Sequence, residues 1–312
     1  MDSVLFDFSP LFVVYTDGRV NRIADFPYVP PSPEDSSAAV SSKDVAISPH
    51  ISARIYLPNL KLTAADQKLP VLVWFHGGAF CIDSAFSSIY HRYLNILASE
   101  AQAVAVSVEY RLAPENPMPA AYEDCWEALQ WVASHAHPEK IIPGVKLEPW
   151  LVKHGNLDKI VIGGDSAGGN IAHNTLIRAG KIGEVNISGA ILSCPYFWGS
   201  FEANTECLEA RLWGFVYPTA PDGIDNPLIN PFVENGPKLS GLGCSRMFVC
   251  VGEKDALHGV GIRYVEAVKK SGWEGEIEVI DVEGEDHVFD IFDPYSEKAK
   301  HLIARIASFI QR

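Results

Sequence analysis

Lys159-Ile160-Val161-Ile162-Gly163-Gly164-Asp165-Ser166-Ala167-Gly168-Gly169-Asn170-Ile171-Ala172-His173 decides how the chain is read. An apolar, β-branched run halts at two glycines and turns through Asp165-Ser166-Ala167-Gly168. It restarts as helix-like sequence over residues 170–179. Gly164 to Gly168 fits G-x-S-x-G in the strand–turn–helix setting that the pattern requires. Glycine on both flanks allows a sharp turn and a close approach of strand and helix. Ser166 is then expected at the tip of the turn, with its hydroxyl above a sheet edge.

Working outward, continuous apolar runs mark buried parallel strands. Residues 69–75 form one and end at His76-Gly77-Gly78-Ala79-Phe80; residues 103–108 form another. Further strands are expected at 187–192, 246–251 and 276–282. Helical spacing separates them at 88–99, 122–135, 262–271 and 296–310. Alternation of this kind predicts an α/β fold, a mostly parallel central sheet with helices on both faces. Upstream, Thr16-Asp17-Gly18-Arg19 between two apolar runs predicts a hairpin. Residues 27–42, rich in Pro and Ser, read as loop, and 43–47 with 52–57 as antiparallel strands. Between 200 and 245 the alternation lapses. The chain therefore reads as a single domain over 1–312, with 1–45 and about 200–245 contributing a cap or lid over the active site.

Composition narrows the partners. With 25 Lys and Arg against 39 Asp and Glu, the formal charge is −14, which disfavours nucleic acid and anionic membrane. No apolar run approaches the roughly 20 residues of a membrane helix, and no secretory signal is visible. A cytoplasmic location is expected. The six cysteines (Cys81, Cys125, Cys194, Cys207, Cys244, Cys250) form no C-x-x-C pair and read as free thiols. No metal-ligand spacing and no nucleotide-binding pattern occurs, so neither metal nor cofactor is expected. Composition carries no signal of oligomeric state.

A serine hydroxyl needs a base, and the base needs an orienting acid. In this type of sheet the partners follow in the order Ser, acid, His, each after a strand. Asp255 lies just beyond the strand at 246–251, with Glu253 its nearest rival, and His287 lies beyond the strand at 276–282. Ser166, Asp255 and His287 are the expected catalytic residues. His76-Gly77-Gly78-Ala79 matches the H-G-G-G pattern that presents backbone N–H groups to an oxyanion. The donors expected are Gly77, Gly78 and Ala167. Phe80, Ile82, Trp213, Phe215, Tyr217, Leu257 and Phe289 are expected to line the substrate pocket.

Together these residues resemble the plant carboxylesterase branch of the hormone-sensitive-lipase-like α/β-hydrolases, over nearly the whole chain. Tyr110-Arg111-Leu112-Ala113-Pro114-Glu115, Pro119-Ala120-Ala121-Tyr122-Glu123-Asp124 and Gly164 to Asn170 carry the resemblance. It implies the α/β-hydrolase fold and a small-molecule ester or specialised metabolite as substrate. The branch also contains 2-hydroxyisoflavanone dehydratases, indole-alkaloid cyclases and gibberellin receptors. Residues 126–135, 173–180 and 226–231 look particularly like the alkaloid cyclases. In those cyclases and in the receptors the histidine position is commonly replaced, and legume dehydratases tend to carry threonine at the nucleophile. Ser166 and His287 are both present here, which points to hydrolysis by an acyl-enzyme first, elimination or cyclisation second, and binding without catalysis last.

Overall fold

The computed structural model describes residues 3–32, 39–60, 68–137, 147–202, 204 and 206–312. The middle of the Pro/Ser-rich stretch and most of residues 136–148 lie outside that set.

Eight strands form the central sheet. They are β4 (Val40–Ala46), β5 (Ser52–Pro58), β6 (Leu69–Phe75), β7 (Val104–Glu109), β8 (Gly155–Asp165), β9 (Ile187–Ser193), β10 (Arg246–Gly252) and β11 (Glu276–Val282), in the spatial order β11-β10-β9-β8-β6-β7-β5-β4. Every pair from β7 to β11 across the sheet is parallel, while β4 and β5 add an antiparallel edge. The expected α/β-hydrolase architecture, a mostly parallel sheet between helices, is what the chain adopts.

Strand periodicity explains the two cores. Val71, Val73 and Phe75 of β6 face one layer together with Ile160 and Ile162 of β8. Leu72 and Trp74 face the other, with Val161, because successive side chains alternate across a pleated sheet. The first layer is closed by α2 (Ala120–Ser134), α4 (Ala167–Ile182) and α6 (His258–Lys270). The second is closed by α1 (Ser88–Ala101) and α8 (Glu297–Gln311). The Ser296 hydroxyl caps α8 by accepting from the Ala299 N–H at 3.2 Å, which satisfies one of the donors a helix start leaves open. A short helix, α3 (Pro149–His154), has Pro at its first turn and is capped by the Glu148 carboxylate.

The N-terminal segment contains its own small sheet of β1 (Val4–Phe8), β2 (Phe12–Tyr15) and β3 (Val20–Arg22). β2 and β3 are the hairpin that Asp17-Gly18 predicts. The 200–245 region carries a helix, α5 (Leu208–Val216), that periodicity did not reveal. Phe215 of α5 packs onto Phe6, Phe8 and Phe12, with ring centroids 5.0–5.5 Å apart. Arg211 adds a hydrogen bond to the Asp7 carbonyl. The two segments thus share one aromatic cluster. At its base, Asn170 and Asn174 of α4 both donate to the Leu228 carbonyl, which ties the Asn-Pro stretch to the helix behind Ser166.

Strand order also places the site. β7 lies on one side of β6, while β8 to β11 lie on the other, so the chain reverses direction across the sheet between β6 and β8. In open α/β sheets the crevice for ligands opens at such a reversal, beyond the carboxyl ends of the strands. The His76–Phe80 loop leaves β6 there and Ser166 leaves β8, with Phe75 paired to Gly164 in register. Among the described residues no helix is long and apolar enough to cross a membrane, and all six cysteines are free, Cys207 and Cys244 being half-buried and the other four buried.

Candidate active site

Ser166 occupies the turn between β8 and α4 at φ 53° and ψ −116°, a conformation costing of order 1–3 kcal/mol for a residue with a side chain. Three backbone bonds hold it there. Its N–H donates to the Ser193 carbonyl at 2.8 Å, and its carbonyl accepts from Asn170 and Tyr196. Gly168 makes the turn possible, since a Cβ there would lie 1.9 Å from the Phe75 carbonyl oxygen. The first turn of α4 can approach β6 only because that atom is missing.

Asp255 and His287 come together as their positions after β10 and β11 predict. His287 Nδ1 lies 2.8 Å from Asp255 Oδ2. The second Asp255 oxygen, Oδ1, accepts the Leu257 N–H at 2.9 Å. The Asp255 side chain is 2% exposed and that of His287 33%, so the imidazole has one edge against the carboxylate and another toward open space. Burial pulls the imidazole toward its neutral form. The hydrogen bond and charge of Asp255 outweigh that, and its pKa stands above the ordinary histidine value. Burial likewise raises Asp255, but its bonds to His287 prevail and lower it. Glu253, the rival acid, instead accepts the Gly284 N–H and takes no part.

Ser166, Asp255 and His287 all line one cavity of about 500 Å³, with Gly78 and Ala79 on the same wall. The loop after β6 is held in an unusual shape. Gly78, Ala79 and Phe80 have φ of 94°, 54° and 60° in succession. Only the first is free of steric penalty there. The loop is bonded at nearly every residue. Tyr110 donates its hydroxyl to the His76 carbonyl at 2.7 Å and stacks on the His76 ring at 4.2 Å. Cys81 and Ile82 donate back to the Gly78 carbonyl, and Ala113 donates to that of Phe80. Arg22 of β3 donates to the Cys81 carbonyl at 2.6 Å and pairs with Glu115 at 2.7 Å.

One expected oxyanion donor is otherwise engaged. The Gly77 N–H donates to the Tyr90 hydroxyl at 2.7 Å, and that hydroxyl donates to Asp165 Oδ2 at 2.7 Å. Gly77 does not line the cavity, and the loop residues on its wall are Gly78 and Ala79. Ala167 begins a helix of 16 residues, whose first N–H groups and dipole favour negative charge. Tyr90, on α1, gives no sequence signal for this role; an aromatic at that spacing reads as core. Asp165 is buried, and burial raises it to about 7 against the opposing Tyr90 hydrogen bond.

Of the expected lining residues, Ile82 and Leu257 face the cavity. The other five do not. Phe80 is fully buried against Tyr122 and Tyr196. Trp213 is bonded to the Gly223 carbonyl and packed on Tyr217. Phe215 belongs to the Phe6–Phe8–Phe12 cluster, and Phe289 packs beside α1 and α8. Their places are taken by Ile23 and Phe26 from the N-terminal segment and Leu208 and Leu212 of α5.

Two of the stretches that carried the family resemblance, 110–115 and 119–124, contribute contacts behind the site. Arg111 grips the buried Asp124 carboxylate through Nε at 2.8 Å and Nη2 at 2.6 Å. The Tyr122 hydroxyl donates to Asn170 at 2.6 Å.

Replacing Tyr90 by Phe should leave the buried Gly77 N–H and Asp165 without their shared partner, a loss of about 1–3 kcal/mol. Thermal unfolding should show it, together with roughly ten-fold slower ester turnover as the loop relaxes. Unchanged melting and turnover would mean that the hydroxyl is not holding the loop.

A family model described as alpha/beta hydrolase fold matches residues 72–291. The chain belongs to this family. Among its relatives is the 2-hydroxyisoflavanone dehydratase of Glycyrrhiza echinata, 51% identical over 96% of this chain and 94% of that one. Tabersonine synthase of Catharanthus roseus is 46% identical over 99% of each. Among solved structures, a hyperthermophilic esterase from the archaeon Pyrobaculum calidifontis aligns with a TM-score of 0.67 and 29% identity. It covers 87% of this chain and 85% of its own. This α/β-hydrolase therefore has full-length relatives in more than one reaction class.

Proposed function

We propose that this α/β-hydrolase is a serine carboxylesterase acting on small carboxylic esters through an acyl-enzyme. The observation that carries the reading is the Asp255–His287 pair at 2.8 Å in the same cavity as the strained Ser166. Asp255 holds Nδ1–H, which leaves Nε2 as the lone-pair nitrogen able to take the Ser166 proton. The serine oxygen attacks the ester carbonyl, and the oxyanion receives N–H groups from Gly78, Ala79 and Ala167. His287 passes its proton to the departing alcohol. Water, deprotonated by the same nitrogen, then releases the acid. The apolar cap residues select for acyl or alcohol groups of low polarity.

Mass spectrometry after treatment with an organophosphonate tests this reading. A stoichiometric covalent adduct on Ser166 is expected, whereas an unlabelled serine in a folded chain would remove the activated nucleophile.

The dehydratase and cyclase relatives favour a second reading, a lyase on the same scaffold. There His287 would take a carbon-bound proton and the oxyanion donors would hold an enolate, with no bond to Ser166. A Ser166→Ala chain that keeps elimination activity while losing ester hydrolysis would select it.

A further inference from the structure

Behind the Asp255–His287 pair stands a third group that the hydrolytic mechanism does not use. Cys194 follows β9 directly, in the left-handed region at φ 44°, with its N–H bonded to the Cys250 carbonyl at 2.8 Å. That backbone placement brings its side chain beside Asp255. The Cys194 sulfur, an Asp255 carboxylate oxygen and a His287 ring nitrogen all lie within 4.8 Å of one another. Cys194 is 3% exposed, and Asp255 and His287 open on the cavity.

One sulfur, one imidazole nitrogen and one carboxylate oxygen form a donor set suited to zinc and its softer neighbours, and unsuited to magnesium or calcium. Zinc bonds of about 2.3 Å to sulfur and 2.0–2.2 Å to nitrogen and oxygen imply ligand separations of roughly 3.3–3.6 Å. The present Nδ1–Oδ2 distance of 2.8 Å would have to open by roughly half an ångström. A hydrogen bond between two side chains at a loop end can open that far.

We propose that Cys194, Asp255 and His287 form an inhibitory binding site for a thiophilic divalent cation such as zinc or cadmium. The ion enters through the substrate cavity and bonds to Sγ, a carboxylate oxygen and Nδ1. The thiol proton leaves to solvent. The imidazole stays neutral, but its proton moves from Nδ1 to Nε2. Nε2 then carries hydrogen and has no lone pair to accept the Ser166 proton, so hydrolysis stops while the fold is kept. This consequence rests on the esterase reading; the binding itself does not.

The test uses the purified full-length chain and cadmium chloride. Micromolar cadmium should inhibit hydrolysis of p-nitrophenyl butyrate, with full recovery on adding EDTA. An ultraviolet cadmium–thiolate absorption band should appear with a stoichiometry of one. In Cys194→Ser the concentration giving half-inhibition, each variant measured against its own uninhibited rate, should rise at least ten-fold. Cys207→Ser, which alters a half-buried thiol in the cap, should leave it unchanged. In His287→Ala the band should need at least ten-fold more cadmium, a readout that requires no activity and no Cys194 variant. Equal inhibition in Cys194→Ser, or a band that disappears with Cys207→Ser instead, would overturn the proposal. If no ester is hydrolysed at all, the esterase reading fails, and the absorption titration still decides the metal site.

Discussion

Ser166→Ala should lower kcat/KM for p-nitrophenyl butyrate by about 10⁴-fold or more, to the background that oxyanion donors and binding alone sustain. The size follows from the chemistry. Without the hydroxyl there is no acyl-enzyme, and His287 is left to activate water from a position suited to a nearer nucleophile. The fold should tolerate the change. Ser166 is held by backbone bonds to Ser193, Asn170 and Tyr196, none of which needs the hydroxyl. Alanine must still accept a φ of 53°, so a slightly lower melting temperature is expected alongside the lost activity. Full activity in the variant would take Ser166 out of the reaction.

His287→Ala should be comparably severe, again about 10⁴-fold or more, and the wild-type pH profile should carry the same signature. The imidazole must be neutral to accept a proton. Its pKa lies above the ordinary value of about 6.5, because Asp255 outweighs the effect of burial. Protonation on lowering the pH therefore switches the base off, and the acid limb of kcat/KM should fall above that ordinary value rather than below it. Asp255→Asn removes the charge that sustains the shift, so its residual activity should show the limb displaced to lower pH. A limb that stays put in Asp255→Asn would mean that another group titrates. With a side chain one-third exposed, His287 can be removed without opening the core, so circular dichroism should be unchanged.

These residues were legible in the sequence for a physical reason. Buried parallel strands must be continuously apolar, so β6, β8 and β10 announce themselves, and in a parallel sheet each following loop returns to the same edge. Ser166, Asp255 and His287 could then be located by order alone. The pocket could not. Trp213, Phe215 and Tyr217 are large and apolar, but hydrophobicity does not say whether a ring faces a cavity or the interior of the cap, and here all three face inward. Ile23 and Phe26 line the cavity from a segment that reads as hairpin edge and loop. The Tyr90–Gly77–Asp165 link joins three elements through one hydroxyl, and no local pattern encodes such a contact. α3 did leave a trace, Glu148-Pro149 as cap and first residue, but the Pro- and Gly-containing sequence just before it drew the reading away from helix.

Arg22 has a further consequence. It sits on the third strand of the N-terminal sheet, yet its guanidinium fastens the Cys81 carbonyl, a few residues past Gly78 and Ala79, and pairs with Glu115 in the segment after β7. The outer segment is thus a strut for the loop after β6 as well as a wall of the cavity. Exchanging this segment between relatives to reshape selectivity would also change how firmly the donors are braced. A chimera should keep its turnover only if the incoming piece brings an arginine that reaches the same two anchor points.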